Sequence, residues 1–360
     1  VTIVPFWPKD FEFKIKKEKV LETINHGSKF HILTYFDFYG NKGIRRYTFE
    51  NAEYSRITYD LSDNQLTNED NYPIPLYQAF DSQAELIDSE VPTSIDIASK
   101  NLKIYLEKDK LLITLDRYRN TTKIISLDLK SNAVGVANFE TSESDRKKQI
   151  TNSNSFVHKN NLFQLALSKD SLWLRITDKD SRQLRKEFKN DKESEITFKN
   201  SPIYQEGSLF LGSNQRELEQ NKQLLRKMRK SRIGVSVFQI NDMLELSLGG
   251  VKDVARGSAP MMMPMNPVPV PGVPVEPIMI TPVFGAYQSY TSSRAVFVKS
   301  LLDKNTLDHL QGDAGKNVFE RLKDFTDELD PKLETTFRYK NFLIYGYYRK
   351  GEYHLVKFRV

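Results

Sequence analysis

Three stretches of this 360-residue chain repeat one short pattern: a polar pair, then a strand-length run that is apolar at successive positions. Lys108-Asp109-Lys110 precedes Leu111 to Leu115, Lys159-Asn160-Asn161 precedes Leu162 to Leu167, and Tyr339-Lys340-Asn341 precedes Phe342 to Tyr348. A strand with one face in water alternates apolar and polar residues, so an uninterrupted apolar run marks a strand covered on both faces. The polar pair marks the tight turn that feeds it. The chain therefore has to bury many short strands between layers, which few architectures allow.

Further strands extend the pattern. Lys123 to Leu129, Leu172 to Ile176 and Gln183 to Phe188 follow the apolar runs. Phe30 to Phe38 pairs in prospect with Ile44 to Phe49, Ile233 to Ile240 with Met243 to Leu248, and Arg294 to Leu301 stands alone. The C-terminal run closes as a hairpin with Tyr353 to Val360 across Arg349-Lys350-Gly351-Glu352. Asp178 and Asp180 read as a turn between strands, because no glycine occupies the sharp-turn position of a calcium loop. Units of four short strands, recurring irregularly about every 50 residues, resemble β-propeller blades. The resemblance is one of fold grammar, without Trp-Asp dipeptides or double-glycine signatures. It implies a mostly β, irregular propeller of about 6–7 blades over residues 1–360, with a β-sandwich or an α+β meander as the alternative. In a propeller the N-terminal strand, Thr2 to Phe6 or Phe11 to Ile15, would complete the C-terminal blade.

Two helices interrupt the strands. The first spans 214–232, with Asn214 and Glu217 as a capping pair and Gly234 beyond its end. Its seven basic residues and two acids give +5 of the chain's net +6. Arg226, Lys227, Arg229 and Lys230 are concentrated at its C-terminal end, where they suit the helix dipole. A docking face for an acidic protein surface or anionic lipid headgroups is the functional reading, and a solvated helix the plain one. The second helix, 314–329, is capped by Asp313 and stopped at Asp330-Pro331. Its stripe of Val318, Phe319, Leu322, Phe325 and Leu329 faces the body.

Residues 257–293 differ from everything around them. They hold eight of the fifteen prolines, five of the seven methionines and one charged residue, Glu276. Proline at this density excludes helix and central strand. The segment reads as an apolar arm whose Met261, Met262, Met263, Met265, Pro267, Pro269 and Pro271 would enter a partner's groove, or else as a loop covering the body. Copper(I) on the thioethers is the third alternative. Adjacent methionines on extended chain cannot converge on one ion, so no metal and no cofactor is expected.

The absence of cysteine excludes a disulfide scaffold, a zinc-thiolate centre and a thiol nucleophile. It also suits export to an oxidising compartment, so a periplasmic or outer-membrane location is expected, with an anchor cysteine upstream of Val1 as one form of it. No apolar run is long enough for a membrane-spanning helix. His26, His31, His158, His309 and His354 have no metal-ligand spacing, and no nucleophile elbow or phosphate loop occurs. Gly249-Gly250 reads as a turn or bulge. Tyr345, Tyr347, Tyr348 and Tyr353 could stack on a sugar, although strand tyrosines more often pack. The sequence thus favours a non-catalytic, exported bacterial scaffold that binds cell-envelope proteins through the arm and the basic helix. Nucleic acid is disfavoured, since the charge is local and lacks interleaved aromatics. A carbohydrate-active or carbohydrate-binding propeller is the alternative.

Overall fold

The computed structural model describes residues 15, 17–38, 40–51, 53–61, 65–142, 149–206, 216–252, 281–282, 294–327, 329 and 332–360. They form five antiparallel sheets, built almost entirely from strands adjacent in sequence. The first is the meander β1 (Lys19–His26), β2 (Lys29–Phe38), β3 (Asn41–Glu50) and β4 (Glu53–Asp60). A one-turn helix, α1 (Leu76–Ala79), leads to the second sheet: β5 (Glu85–Ile87), β6 (Leu102–Glu107), β7 (Lys110–Tyr118), β8 (Thr121–Asp128) and β9 (Val134–Glu140). Only β5 runs parallel to its neighbour, β6, because the short helix α2 (Ile95–Ala98) lies between them in the chain. The third sheet is the meander β10 (Asn152–His158), β11 (Asn161–Leu167), β12 (Ser171–Asp178) and β13 (Leu184–Asp191).

The fourth sheet is less regular. Its order is β15 (Arg216–Leu218), β14 (Ile203–Gln205), β19 (Arg294–Asp303), β17 (Met243–Lys252), β16 (Arg232–Ile240), with helix α3 (Asn221–Met228) preceding β16. The fifth sheet contains β18 (Thr281–Pro282), β20 (Lys332–Tyr339), β21 (Phe342–Arg349) and β22 (Glu352–Arg359), with α4 (Val318–Asp327) ahead of β20. Between β17 and β19 in the chain, Thr281 and Pro282 pair with Arg338 and Phe337 of the fifth sheet.

The turns show that four sheets repeat one unit. Two-residue turns join Glu107 to Lys110, His158 to Asn161, Ile240 to Met243 and Tyr339 to Phe342. In each, the first turn residue has a positive φ: Lys108, Lys159, Asn241 and Lys340. The residue just after the next strand of the hairpin's sheet then donates its N–H to the second turn carbonyl: Leu129 to Asp109 (2.7 Å), Lys179 to Asn160 (2.8 Å), Lys304 to Asp242 (3.2 Å) and Val360 to Asn341 (3.0 Å). A second loop recurs as well. The carboxylates of Asp128, Asp178 and Asp303 each accept the N–H groups two and three residues on, at 2.7 to 3.0 Å. These N–H donors hold all three aspartates below the usual carboxylate range. The Asp178 loop is therefore a hydrogen-bonded strand connection, in line with the sequence reading.

The sheets stack face to face. Leu111, Ile113 and Leu115 of β7 join a core shared with Leu33 and Ile44 of the first sheet. Leu112, on the opposite face, joins a core that runs through the third and fourth sheets. This double burial is why the central strands lack polar alternation. Between the fourth and fifth sheets α4 is inserted: its Val318, Phe319 and Leu322 pack on Leu343, Tyr345 and Tyr347. Among the described residues no hydrophobic cluster joins the first sheet to the fifth. The chain is a mostly β, irregular propeller-like stack, and among the described residues its sheets do not close into a ring. Five sheets are described, where the sequence suggested six or seven. The strand expected from the N-terminus to close the ring falls on residues 1–15, outside the described strands.

Both helices differ from the sequence reading. The helix expected over 214–232 covers only Asn221–Met228, because Arg216–Leu218 pair as a strand with Ile203–Gln205. Its start is fixed by Asn221, whose Nδ2 donates to the carbonyls of Asp191 (2.8 Å) and Ser194 (3.2 Å). The second helix begins at Val318, capped by Asn317 and not by Asp313. The Asn317 side chain accepts from the N–H groups of Phe319 and Glu320, and Glu320 reaches back to the N–H of Asn317. Gly249 and Gly250 lie inside β17, where the third strand crosses closely. A Cβ on Gly249 would stand 2.2 Å from the Val296 carbonyl oxygen.

Candidate functional site

Met261, Met262, Met263, Met265, Pro267, Pro269 and Pro271 lie outside the described residues. Arg226, Lys227, Arg229 and Lys230 occupy the last turn of α3 and the turn after it. The helix buries Asn221, Leu224, Leu225 and Met228 against the third and fourth sheets, so its opposite side faces out. Lys222, Arg226, Arg229 and Lys230 are exposed, with Lys227 half-buried beside them. Among the described residues none of these five cations has an acidic side chain within ion-pair distance. The third sheet adds Lys189 and Lys192, already engaged by Asp191 (3.2 Å) and Asp170 (2.5 Å). Arg232 is withdrawn from the patch, pairing with Asp96 at 3.0 Å. What remains is a surplus of positive charge on the exposed side of α3, above its buried stripe.

Three groups of buried charge stand out; buried Arg46 and Lys123 lie apart from them, donating to the Leu129 carbonyl (3.2 Å) and to Asn138 Oδ1 (2.9 Å). In the first, Lys103 is wholly buried between the second and third sheets. Its Nζ donates to the Lys100 carbonyl (2.5 Å), Asp116 Oδ2 (2.8 Å) and Asn154 Oδ1 (3.0 Å). Asp116 also accepts from Thr122 (2.8 Å) and Ser155 (3.0 Å). Burial drives the Lys103 ammonium down from its ordinary range, and Asp116 opposes that shift. In the second group, Lys299 of β19 bridges Glu320 (2.5 Å) and Glu245 (3.5 Å), tying α4 to the fourth sheet. Burial raises Glu245 and nearby Glu206 above the usual carboxylate range. In the third, buried Glu18 accepts from Thr34 (2.5 Å), Arg45 and Tyr47 (3.0 Å) within the first sheet.

The first two groups fill seams between packed elements, and the third lies within the first sheet. None offers a paired acid and base to a cavity. Glu245 and Glu320 share one lysine, which suits a structural clamp more than glycoside chemistry, where two carboxyls flank an open bond. Among the described residues no cluster of three or more metal-ligating side chains occurs, and no helix is long and apolar enough to cross a membrane. His31 and His158 are buried, and burial, assisted by Arg46 and by Lys159 respectively, lowers each to about 4. Tyr345 and Tyr347 stack on each other in the core below α4, at 5.5 Å between rings. Only Tyr348 and Tyr353 of the suggested sugar platform are exposed.

Sequence reasoning missed a cavity of about 430 Å³ between the first sheet and the segment that begins at α1, with Asp81 as its one lining carboxylate. No sequence signal marked it, since its walls come from β1, β2 and the segment after α1.

Comparison with known proteins gives little beyond this geometry. No protein family matches the chain, and no curated protein does. Among solved structures the chain is similar to the β-propeller domain of the trilobed protease from Pyrococcus furiosus, at 8% identity and a TM-score of 0.28, covering 96% of this chain and 82% of that one. It is similar to the catalytic domain of the GH62 α-L-arabinofuranosidase of Coprinopsis cinerea, at 9% identity and a TM-score of 0.29, covering 98% and 93%. It is also similar to the GH43 endo-arabinanase of Bacillus licheniformis, at 10% identity and a TM-score of 0.28, covering 98% and 96%. Superpositions this loose assign no activity to the chain.

Proposed function

We propose that this chain is a non-catalytic binding platform that docks an acidic protein partner on the α3 face, as an accessory subunit of a bacterial cell-envelope complex. One observation carries the reading. Lys222, Arg226, Lys227, Arg229 and Lys230 lie on one side of a helix whose other side is buried, and among the described residues none has an acidic side chain within ion-pair distance. A complementary acidic surface would gain steering and register from such a patch. The Pro/Met arm is proposed as the second contact, because uncharged, pre-extended chain loses little entropy on docking. Export is proposed with it, and the absence of cysteine suits that location. Turnover of carbohydrate is not part of it, since the described cavity holds one carboxylate where hydrolysis needs two.

The test is site-specific photocrosslinking in the native cell. A crosslinker at position 226 or 230 should capture one acidic partner in near-stoichiometric yield, and one at Tyr353, on the fifth sheet, should not. Capture from both positions alike, or from neither, would contradict the reading.

A further inference from the structure

A cavity lies between β1 and β2 of the first sheet and the segment running from Tyr77 to Ala84. Its floor is apolar and aromatic: Leu21, Phe80 and Ala84 are buried there, and the Phe80 ring meets Tyr35 at 5.2 Å. Its rim is polar and uncharged at Ser82 and Gln83, with Lys19 and Asp81 at the edge. Tyr77 stands at the mouth with more than half of its surface in solvent. At about 430 Å³ the cavity lies within the range of small-ligand sites.

Three features show that the cavity is built and held open. Tyr35 is 94% buried and lines the cavity, its ring held against Phe80. The register of β1 slips between Val20 and Glu22, and the extra residue, Leu21, forms the cavity wall. Bulges of this kind re-aim side chains next to binding sites. Finally, the segment carrying Tyr77 is pinned from both sides. Asp37 of β2 accepts the Leu76 N–H (2.7 Å), and Arg117 of β7 donates to the Gln78 carbonyl (2.8 Å) and pairs with Asp81. Such a site loses little entropy on filling.

We infer that this cavity binds a neutral sugar residue of a glycan. A pyranose or furanose ring has an apolar C–H face that fits the exposed Tyr77 ring, and hydroxyl edges that fit the Tyr35 hydroxyl, the Gln83 amide and the Asp81 carboxylate. The Arg117 pair compensates the charge of Asp81, so the subsite suits an uncharged ligand. One carboxylate without a second opposite it binds the ring and leaves the glycosidic bond intact. The inference is independent of the α3 docking face, which lies against the third and fourth sheets.

The test uses the full chain on an array of neutral hexose and pentose oligosaccharides, followed by calorimetry with the strongest hit. Binding should weaken about tenfold in Tyr77→Ala and in Gln83→Ala, which equals about 1.4 kcal/mol. Tyr77→Phe, which keeps the ring, should retain most of it. Both positions are exposed, so melting temperatures should match the parent. No retained glycan at millimolar sugar would overturn the inference. So would a glycan whose affinity is unchanged in Tyr77→Ala.

Discussion

Replacing Asp116 by alanine tests the seam that joins the second and third sheets. The carboxylate accepts from Lys103, Thr122 and Ser155, and the Lys103 ammonium that remains is fully removed from water. Two neutral acceptors, the Lys100 carbonyl and Asn154 Oδ1, are left to hold it. Removing one member of a buried pair destabilises by about 3–5 kcal/mol, because the surviving charge is uncompensated. At about 2 °C per kcal/mol for a large domain, the melting midpoint should fall by about 6–10 °C. The double variant Lys103→Met/Asp116→Leu removes both charges and should recover most of that loss. Circular dichroism melts at one scan rate measure all three proteins. Lys130→Ala, which removes an exposed pair with Asp109, should leave the midpoint unchanged and serves as control. A fall of under 2 °C in Asp116→Ala, or a double variant no better than the single, would refute the seam's role.

Three further outcomes are expected. His158 titrates at about 4 in the folded chain against about 6.5 unfolded, so the unfolded state binds more protons between those values. Stability is therefore full above about pH 6.5 and declines toward pH 4, by on the order of 2–3 kcal/mol for this group. His158→Gln should flatten that slope in urea titrations, and an unchanged slope would show the decline lies elsewhere. Gly249→Ala places a Cβ against the Val296 carbonyl and should destabilise by about 1–3 kcal/mol in denaturant unfolding. Parent-like stability there would mean that β17 and β19 separate easily. Asp178→Ala removes the acceptor of the Asp180 and Ser181 N–H groups, so their amide hydrogen exchange should quicken while the β11 core amides hold. Equal exchange in both proteins would show that the loop is set without its aspartate.

The strand grammar was legible because a two-residue turn needs one residue at positive φ and exposes both, which leaves a polar pair such as Lys159-Asn160 in plain view. The sheet stacking was legible for the same kind of reason: Leu111 and Leu112 face different neighbours, so neither can be polar. The helix at 214–232 was overextended because Leu218 fits a helical stripe equally well, and its real partner, Ile203, is remote in sequence. The cap at Asn317 is readable as Asn-x-x-Glu, a pattern that Asp313, with Lys316 three residues on, does not make. Lys103 and Lys299 were unreadable. A lysine between apolar neighbours looks like the solvent face of a strand until the next sheet supplies Asn154 or α4 supplies Glu320. The sugar cavity was hidden for a related reason, since a bulge at Leu21 and a segment 60 residues later meet only in the fold.

The central claim is that the α3 face carries the chain's binding role. Its most direct measurement is recovery of partner from the native envelope by the intact chain and by Arg226→Glu/Arg229→Glu/Lys230→Glu. These side chains extend from a helix whose buried stripe is untouched, so the variant should melt like the parent. The account predicts one acidic protein recovered in stoichiometric amount with the parent, released by salt and lost with the variant. Equal recovery by both proteins, or recovery of the chain alone from each, would contradict it.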